Sequence, residues 1–170
     1  MTDEAQDSAP AAGADEVKDE ARARVAELVE RFRRNEADYR DAGYNETQAR
    51  TEFITPLLEV FGWDVHNIGG QPRIYREVIE EATVEVGDER LSKRPDYELR
   101  LARQRKLFVE AKKPSVRIDR DRAPAFQTRR YGYSASMPIA VVTNFYQLAI
   151  YDCNPVPDEM HDAHVARLHL

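Results

Sequence analysis

Asp96-Tyr97-Glu98-Leu99-Arg100-Leu101 and, after a polar connection at 102–106, Leu107-Phe108-Val109-Glu110-Ala111-Lys112 decide how this chain reads. Tyr97, Leu99 and Leu101 alternate with Glu98 and Arg100, the period-two pattern of a strand with one buried face. Leu107, Val109 and Ala111 alternate with Phe108, Glu110 and Lys112, which predicts a second strand ended by Pro114. Two strands joined by so short a connection pair as neighbours. The start of the first then lies opposite the end of the second. Side chains at 110 and 112 share a face, so Asp96, Glu110 and Lys112 converge at one edge of the sheet.

Outward from this pair, the chain alternates helices with strands. Val17, Ala21, Val25, Leu28, Val29 and Phe32 recur at three- and four-residue steps, which predicts a helix from Glu16 to about Arg40. After Gly43, Asn45 and Gln48 form a capping box that starts a second helix running to about Phe61. Pro56 lies inside that run and must kink or split it. Trp63 to Ile68 reads as a short extended stretch or loop, with Trp63 packed in the core. Arg73 to Val86 carries strand character in Ile74, Val78, Ile79, Val84 and Val86, before a turn at Gly87-Asp88. Beyond Lys112, a helix is expected over Asp119 to about Ser134, starting late because of Pro124. Ile139 to Val142 is apolar enough for a strand buried on both faces. A turn at Thr143-Asn144 leads to a last strand over Tyr146 to Tyr151. The order is that of an α/β domain.

The composition bounds the function. The chain has 170 residues, enough for one domain and a tail. No apolar run approaches the ~20 residues of a membrane span. Residues 1–15 are acidic and Ala-rich, expected to be a disordered tail ahead of a domain over 16–170. They lack the features of a signal peptide. Cys153 is the single cysteine and is read as structural. Together these features point to the cytoplasm. The net charge is −6, but residues 1–20 hold seven acids against Lys18. Arg90 to Arg130 holds fourteen Lys or Arg against five Asp or Glu. A basic segment in an otherwise neutral domain can bind phosphates. His161, His164 and His169 are read as a helix surface near the end of the chain.

Two carboxylates that converge repel unless a cation sits between them. Hard oxygen ligands select Mg²⁺ or Mn²⁺, which keep positions open for water and a phosphate oxygen. Such an ion polarises a phosphodiester and lowers the pKa of bound water. An adjacent lysine can orient that water and stabilise charge developing on phosphorus. A charged pair at 110 and 112 inside a core strand is costly without such a purpose.

Arg94-Pro95-Asp96-Tyr97 and Val109-Glu110-Ala111-Lys112 resemble the PD-(D/E)XK nuclease signature. More narrowly, most of residues 40–152 resembles the N-terminal nuclease domain of type I restriction R subunits and of fused restriction–methylation enzymes. The resemblance implies a restriction-endonuclease-like fold, a central mixed β-sheet flanked by α-helices. It implies a Mg²⁺-dependent endonuclease acting on double-stranded DNA in a restriction system. Asp96, Glu110 and the backbone carbonyl of Ala111 would be the metal ligands and Lys112 the catalytic lysine. Gln127 and Tyr131, four residues apart on one helical face, resemble the Q-x-x-x-Y accessory motif of the RecB-like branch. The family often places a helical glutamate near the metal, and Glu52 is the candidate, with Glu46 and Glu59 competing.

Arg117, Arg120, Arg122, Arg129 and Arg130 flank the expected site and suit phosphate contacts, as does Lys113. No methyltransferase or Walker motif occurs, so methyltransferase, specificity or helicase domains or subunits would have to lie elsewhere. The chain is expected to be a nuclease domain cut from a longer protein or a standalone remnant. The rival readings are a DNA-binding module of the same fold that has lost cleavage, and a protein interaction domain with a charged surface.

Overall fold

A computed structural model of the chain describes residues 12–81, 95–158 and 164–169. The first helix, α1 (Ala12–Arg34), begins inside the stretch expected to be a disordered tail. Its first turns are exposed and rest on local terms: alanine-rich composition, Asp15 in the first turn, and the pairs Lys18–Asp15 at 3.1 Å and Arg22–Asp19 at 2.9 Å. Residues 1–11 lie outside the described residues. The helix expected to reach residue 40 breaks at Asn35, which leaves helical geometry at φ −127°. A single further turn, α2 (Glu36–Tyr39), follows.

The capping box forms as the sequence dictates. Asn45 accepts from the Gln48 amide at 2.9 Å and Gln48 Oε1 accepts from the Asn45 amide at 3.0 Å. It opens α3 (Glu46–Ala49), which widens into a π-helical turn at Arg50–Ile54 before α4 (Thr55–Val60). Pro56 accounts for the irregularity. It has no N–H for the Glu52 carbonyl, which would be its partner in a regular helix. The Arg31 guanidinium donates to that carbonyl instead, while the Thr55 amide reaches back to Arg50. Gly62 closes the run at φ +89°, a left-handed conformation that suits glycine.

Six strands form one mixed sheet in sequential order: β1 (Val78–Glu80), β2 (Tyr97–Leu101), β3 (Gln104–Ala111), β4 (Ile139–Thr143), β5 (Gln147–Asp152) and β6 (His164–His169). All neighbours are antiparallel except β3 and β4, which are joined by the crossover helix α5 (Arg122–Ser134). Asp121 caps α5, and Pro124 falls in its first turn, where a missing N–H costs nothing.

Several elements differ from expectation. The strand expected over 73–86 is a 3₁₀ turn at Arg73–Tyr75 and then β1; Val84, Val86 and the Gly87-Asp88 turn lie outside the described residues. The connection at 102–106 shrinks to Ala102 and Arg103, both at positive φ, so β3 begins at Gln104. His164 and His169 bound an edge strand rather than lying on a helix, and His161 is outside the described residues.

Two layers of helix cover the sheet. On one face Phe32 of α1 meets the rings of Tyr39, Phe53, Phe145 and Tyr146 at centroid separations of 5.4–6.1 Å. Tyr97, Leu99, Val109 and Val141 complete that core from the sheet, and Trp63 packs half-buried against it. On the other face α5 packs Tyr131 against Phe108, Ala140 and Cys153. Cys153 is buried, and burial pushes its thiol up to about 11. No helix among the described residues is long and apolar enough to cross a membrane.

Candidate active site

The register of β2 against β3 places Tyr97 opposite Val109 and Glu98 opposite Phe108. One step further along that ladder, Asp96 meets the end of β3. Its Oδ2 accepts the Ala111 amide at 2.7 Å, and its Oδ1 lies 3.3 Å from Arg50 Nη1. The amide of Lys112 donates the other way, to Thr143 of β4 at 2.8 Å. Alternating peptide directions along the strand thus turn Ala111 toward Asp96 and Lys112 toward β4.

Glu110 is 3% exposed on the α5 face. Its Oε1 accepts from Lys112 Nζ at 2.7 Å and from Gln127 Nε2 at 2.8 Å. Gln127 Nε2 also donates to the Tyr131 hydroxyl at 2.7 Å. Helix α5 therefore delivers Gln127 to a carboxylate on the strand beneath, with Tyr131 one turn on bonded to Gln127. The second oxygen of Glu110, Oε2, is buried with no hydrogen-bond partner among the described residues. Lys112 reaches a third carboxylate, Glu46, at 3.6 Å.

Among the described residues, charge at this corner is out of balance. Asp96, Glu110 and Glu46 converge on it, and Glu80 and Glu81 lie 3.0 and 3.7 Å from the Arg50 guanidinium. Only Lys112 and Arg50 answer them within these ion pairs. Burial raises the Glu110 carboxyl to about 7; Lys112 opposes the rise, while Asp96 and Glu46 add to it. Asp96 is also raised, first by burial, against the pull of the Ala111 amide and Arg50. Glu46 rises for the same leading reason, with Lys112 opposing. Burial works to lower Lys112, but Glu110, Glu46 and Asp96 outweigh it and hold the ammonium above its ordinary value. Lys112 thus stays charged while the carboxylates compete for too little positive charge.

Asp96, Glu110, Lys112, Gln127 and Tyr131 are one connected cluster. Glu52 is not in it. Its backbone carbonyl receives Arg31, and its carboxylate adds to the upward shift that burial gives the Tyr44 hydroxyl. Glu59 pairs with His66 at 3.3 Å, leaving Glu46 as the helical glutamate at the centre. Arg50 was not foreseen. It reaches Asp96, stacks over the Tyr97 ring at 5.0 Å, and faces the Tyr97 hydroxyl, which shares a hydrogen bond with Thr55 Oγ1 at 2.9 Å. The spacing of Glu46 and Arg50, four residues apart just after the Asn45 cap, is the sequence signal that marks both.

The flanking basic residues divide. Arg129 is 1% exposed and belongs to the interior, so it presents no surface to DNA. Arg117 spends its guanidinium on Asp119 through two bonds of 3.0 and 2.9 Å. Arg120 and Arg122 are exposed, Arg130 is exposed over the Phe126 ring, and Lys113 reaches the Ala42 carbonyl at 3.4 Å. Arg94 of the signature lies outside the described residues.

No protein-family model matches the sequence. A solved fragment described as an HsdR subunit of a type I restriction enzyme from Vibrio vulnificus YJ016 aligns over 68% of this chain and 24% of its own, with a TM-score of 0.47 and 20% identity. Over 127 residues, 75% of the chain, the sequence is 45% identical to the type II restriction enzyme and methyltransferase RM.Eco57I of Escherichia coli. The chain spans 13% of that protein's length, and is therefore similar to one stretch of a restriction–methylation enzyme and not to the whole.

Proposed function

We propose that this chain is a PD-(D/E)XK nuclease domain that hydrolyses DNA phosphodiester bonds with Mg²⁺ or Mn²⁺, as the cleavage part of a restriction–modification enzyme. The observation that carries the reading is the convergence of Asp96, Glu110 and Lys112, with Glu110 Oε2 buried and unpartnered. The similarity to a restriction–methylation enzyme supports it. Among the described residues, no three His, Cys, Asp or Glu side chains form a ligand group by themselves. Asp96, Glu110 and the Ala111 carbonyl nevertheless fit a hard cation that keeps most of its water. The carboxylate excess around them points the same way. When bound, the ion would supply Lewis acidity toward the scissile phosphate and a more acidic water.

The side chains have separable tasks. Gln127 fixes one oxygen of Glu110 and leaves the other for the ion, and Tyr131 fixes Gln127. The Ala111 amide fixes Oδ2 of Asp96, while Oδ1 faces Arg50. Lys112, held charged between Glu110 and Glu46, donates hydrogen bonds to the attacking water and to the phosphate oxygens as negative charge develops. Arg50 holds Asp96 in place from the far side. Double-stranded DNA is the substrate, and methyltransferase, specificity or helicase parts outside this chain would supply site recognition.

Calorimetric titration of Mn²⁺ and Mg²⁺ into the wild type and Glu110→Ala tests this without a known recognition site. Binding by the wild type that disappears in the variant is the expected outcome. Binding by neither, with duplex DNA present, removes the catalytic reading.

A further inference from the structure

The two strands that carry the centre run away from it into a tight hairpin, and their far end is strongly basic. Arg100, Arg103, Arg105 and Lys106 surround the turn with no acid between residues 99 and 107. The chain entering β1 passes beside them. The Arg100 amide bonds to the Glu77 carbonyl at 2.7 Å, and Arg103 lies over the Tyr75 ring at 5.5 Å. This brings in Arg73 and Arg76, both exposed. Among the described residues, the six cations face two carboxylates. Glu98 is fully buried and shared by Arg100 and by Arg105, the latter at 3.1 Å. Glu77 is turned to the Asp64 amide at 3.2 Å, and Asp64 itself is taken up by the amides of Ile68 and Gly69. Arg73, Arg76, Arg103 and Lys106 therefore have no carboxylate partner in any of these ion pairs. Tyr75 and Leu101, each 50% exposed, give the patch apolar surface as well.

We propose that this hairpin end is a DNA-backbone contact surface, with Arg73, Arg76, Arg103 and Lys106 on the phosphates of the duplex that the centre cleaves. It rests on the reading of DNA as substrate. Five of the six cations are arginines, whose planar fork matches phosphate oxygens. The turn lies five to six residues along the strands from Asp96 and Glu110, roughly 17–20 Å at ~3.3 Å per residue. That is about half of the ~34 Å repeat of a duplex, so one DNA molecule can span both ends of the ladder. Contacts of this kind give register and affinity without reading sequence.

The test measures the binding of the full chain to a fluorescent duplex of about 30 base pairs, without divalent metal, over a range of salt. Arg73, Arg76, Arg103 and Lys106 are changed together to Gln, which spares Arg100 and Arg105 for Glu98. A matched control changes Arg22, Arg24, Arg33 and Arg34 of α1 to Gln, an equal loss of charge elsewhere. The patch variant is expected to weaken binding on the order of tenfold or more and to lower the salt slope by up to about 3.6, at ~0.9 for each phosphate no longer neutralised. The α1 control should move little, and both variants should keep the wild-type circular dichroism and melting. Unchanged affinity and slope in the patch variant overturns the proposal, as does equal weakening in both variants. A patch variant that loses binding to phosphatidylserine vesicles but not to DNA also overturns it. Patch-dependent binding by a protein that never cleaves would fell the nuclease reading and leave this one standing. Failure of the wild type to bind any duplex removes both.

Discussion

Replacing Glu110 by Gln should stabilise the metal-free protein at alkaline pH, and the structure gives both the sign and the size. Burial raises this carboxyl from 4.5 to about 7. Between those values the folded state holds a proton that the unfolded chain has released. Stability therefore falls as pH rises through that window, and levels off above about 7. At about 1.4 kcal/mol per pH unit, the full cost of ionising Glu110 in the fold is about 3.5 kcal/mol. Lys112 shares the pair and loses its partner in the variant, so the net gain lies below that figure, at about 1–3 kcal/mol. Gln keeps an oxygen for Lys112 and Gln127, so the geometry survives. The assay is urea unfolding of both proteins with a chelator, at steps from about pH 5 to 8. Asp96 and Glu46 also titrate, but they do so in both proteins, and the difference between the curves isolates Glu110. The curves should nearly meet at about pH 5, with the variant more stable by about pH 8. Parallel curves across the whole range would refute the argument that burial of Glu110 stores this energy.

Gln127→Leu removes one of the two donors to Glu110 Oε1 and the partner of Tyr131; Mn²⁺ affinity by calorimetry should fall roughly 10–100-fold with the fold retained, and unchanged affinity would leave Gln127 a packing residue. Gly132→Ala places a new Cβ 2.4 Å from Cys153 Sγ and 2.7 Å from its Cβ, so thermal unfolding should show a destabilisation of about 1–3 kcal/mol as α5 lifts from the sheet.

The parts of this molecule that were legible in its sequence are those set by local chemistry. The Asn45–Gln48 box involves groups three residues apart, and the strands 97–101 and 107–111 announce themselves by alternation. Once the hairpin is granted, the meeting of Asp96 with the Glu110 end of β3 follows from register alone. The Gln127–Tyr131 pair follows from helical spacing. What escaped depends on phase and on distant neighbours. Choosing Glu46 over Glu52 requires knowing which side of a helix faces the sheet. Pro56 and the wide turn before it disturb that phase, and no periodicity count reveals it. The two-residue turn at Ala102 and Arg103 hid because both take positive φ without the glycine or asparagine that usually marks such a turn. Arg129 looked like a phosphate contact because its charge is visible in the sequence and its burial is not.

The two glutamates buried on this face of the hairpin differ in the charge that surrounds them. Glu98 and Glu110 sit on adjacent strands, each nearly or fully excluded from solvent, and each keeps an Oε2 without a hydrogen-bond partner among the described residues. An orphaned oxygen alone does not distinguish them. Charge does. Glu98 is the single acid between two guanidiniums, Arg100 and Arg105, and needs nothing further. Glu110 shares its space with Asp96 and Glu46, and the one cation it touches, Lys112, also serves Glu46. Adding a cation at Glu98 would create an excess, whereas adding one between Asp96 and Glu110 removes a deficit. Among the described residues, the same hairpin thus carries negative surplus at one end and positive surplus at the other. Under the proposed function, that polarity suits a divalent ion at the Asp96 end and the phosphate backbone along the length of the hairpin.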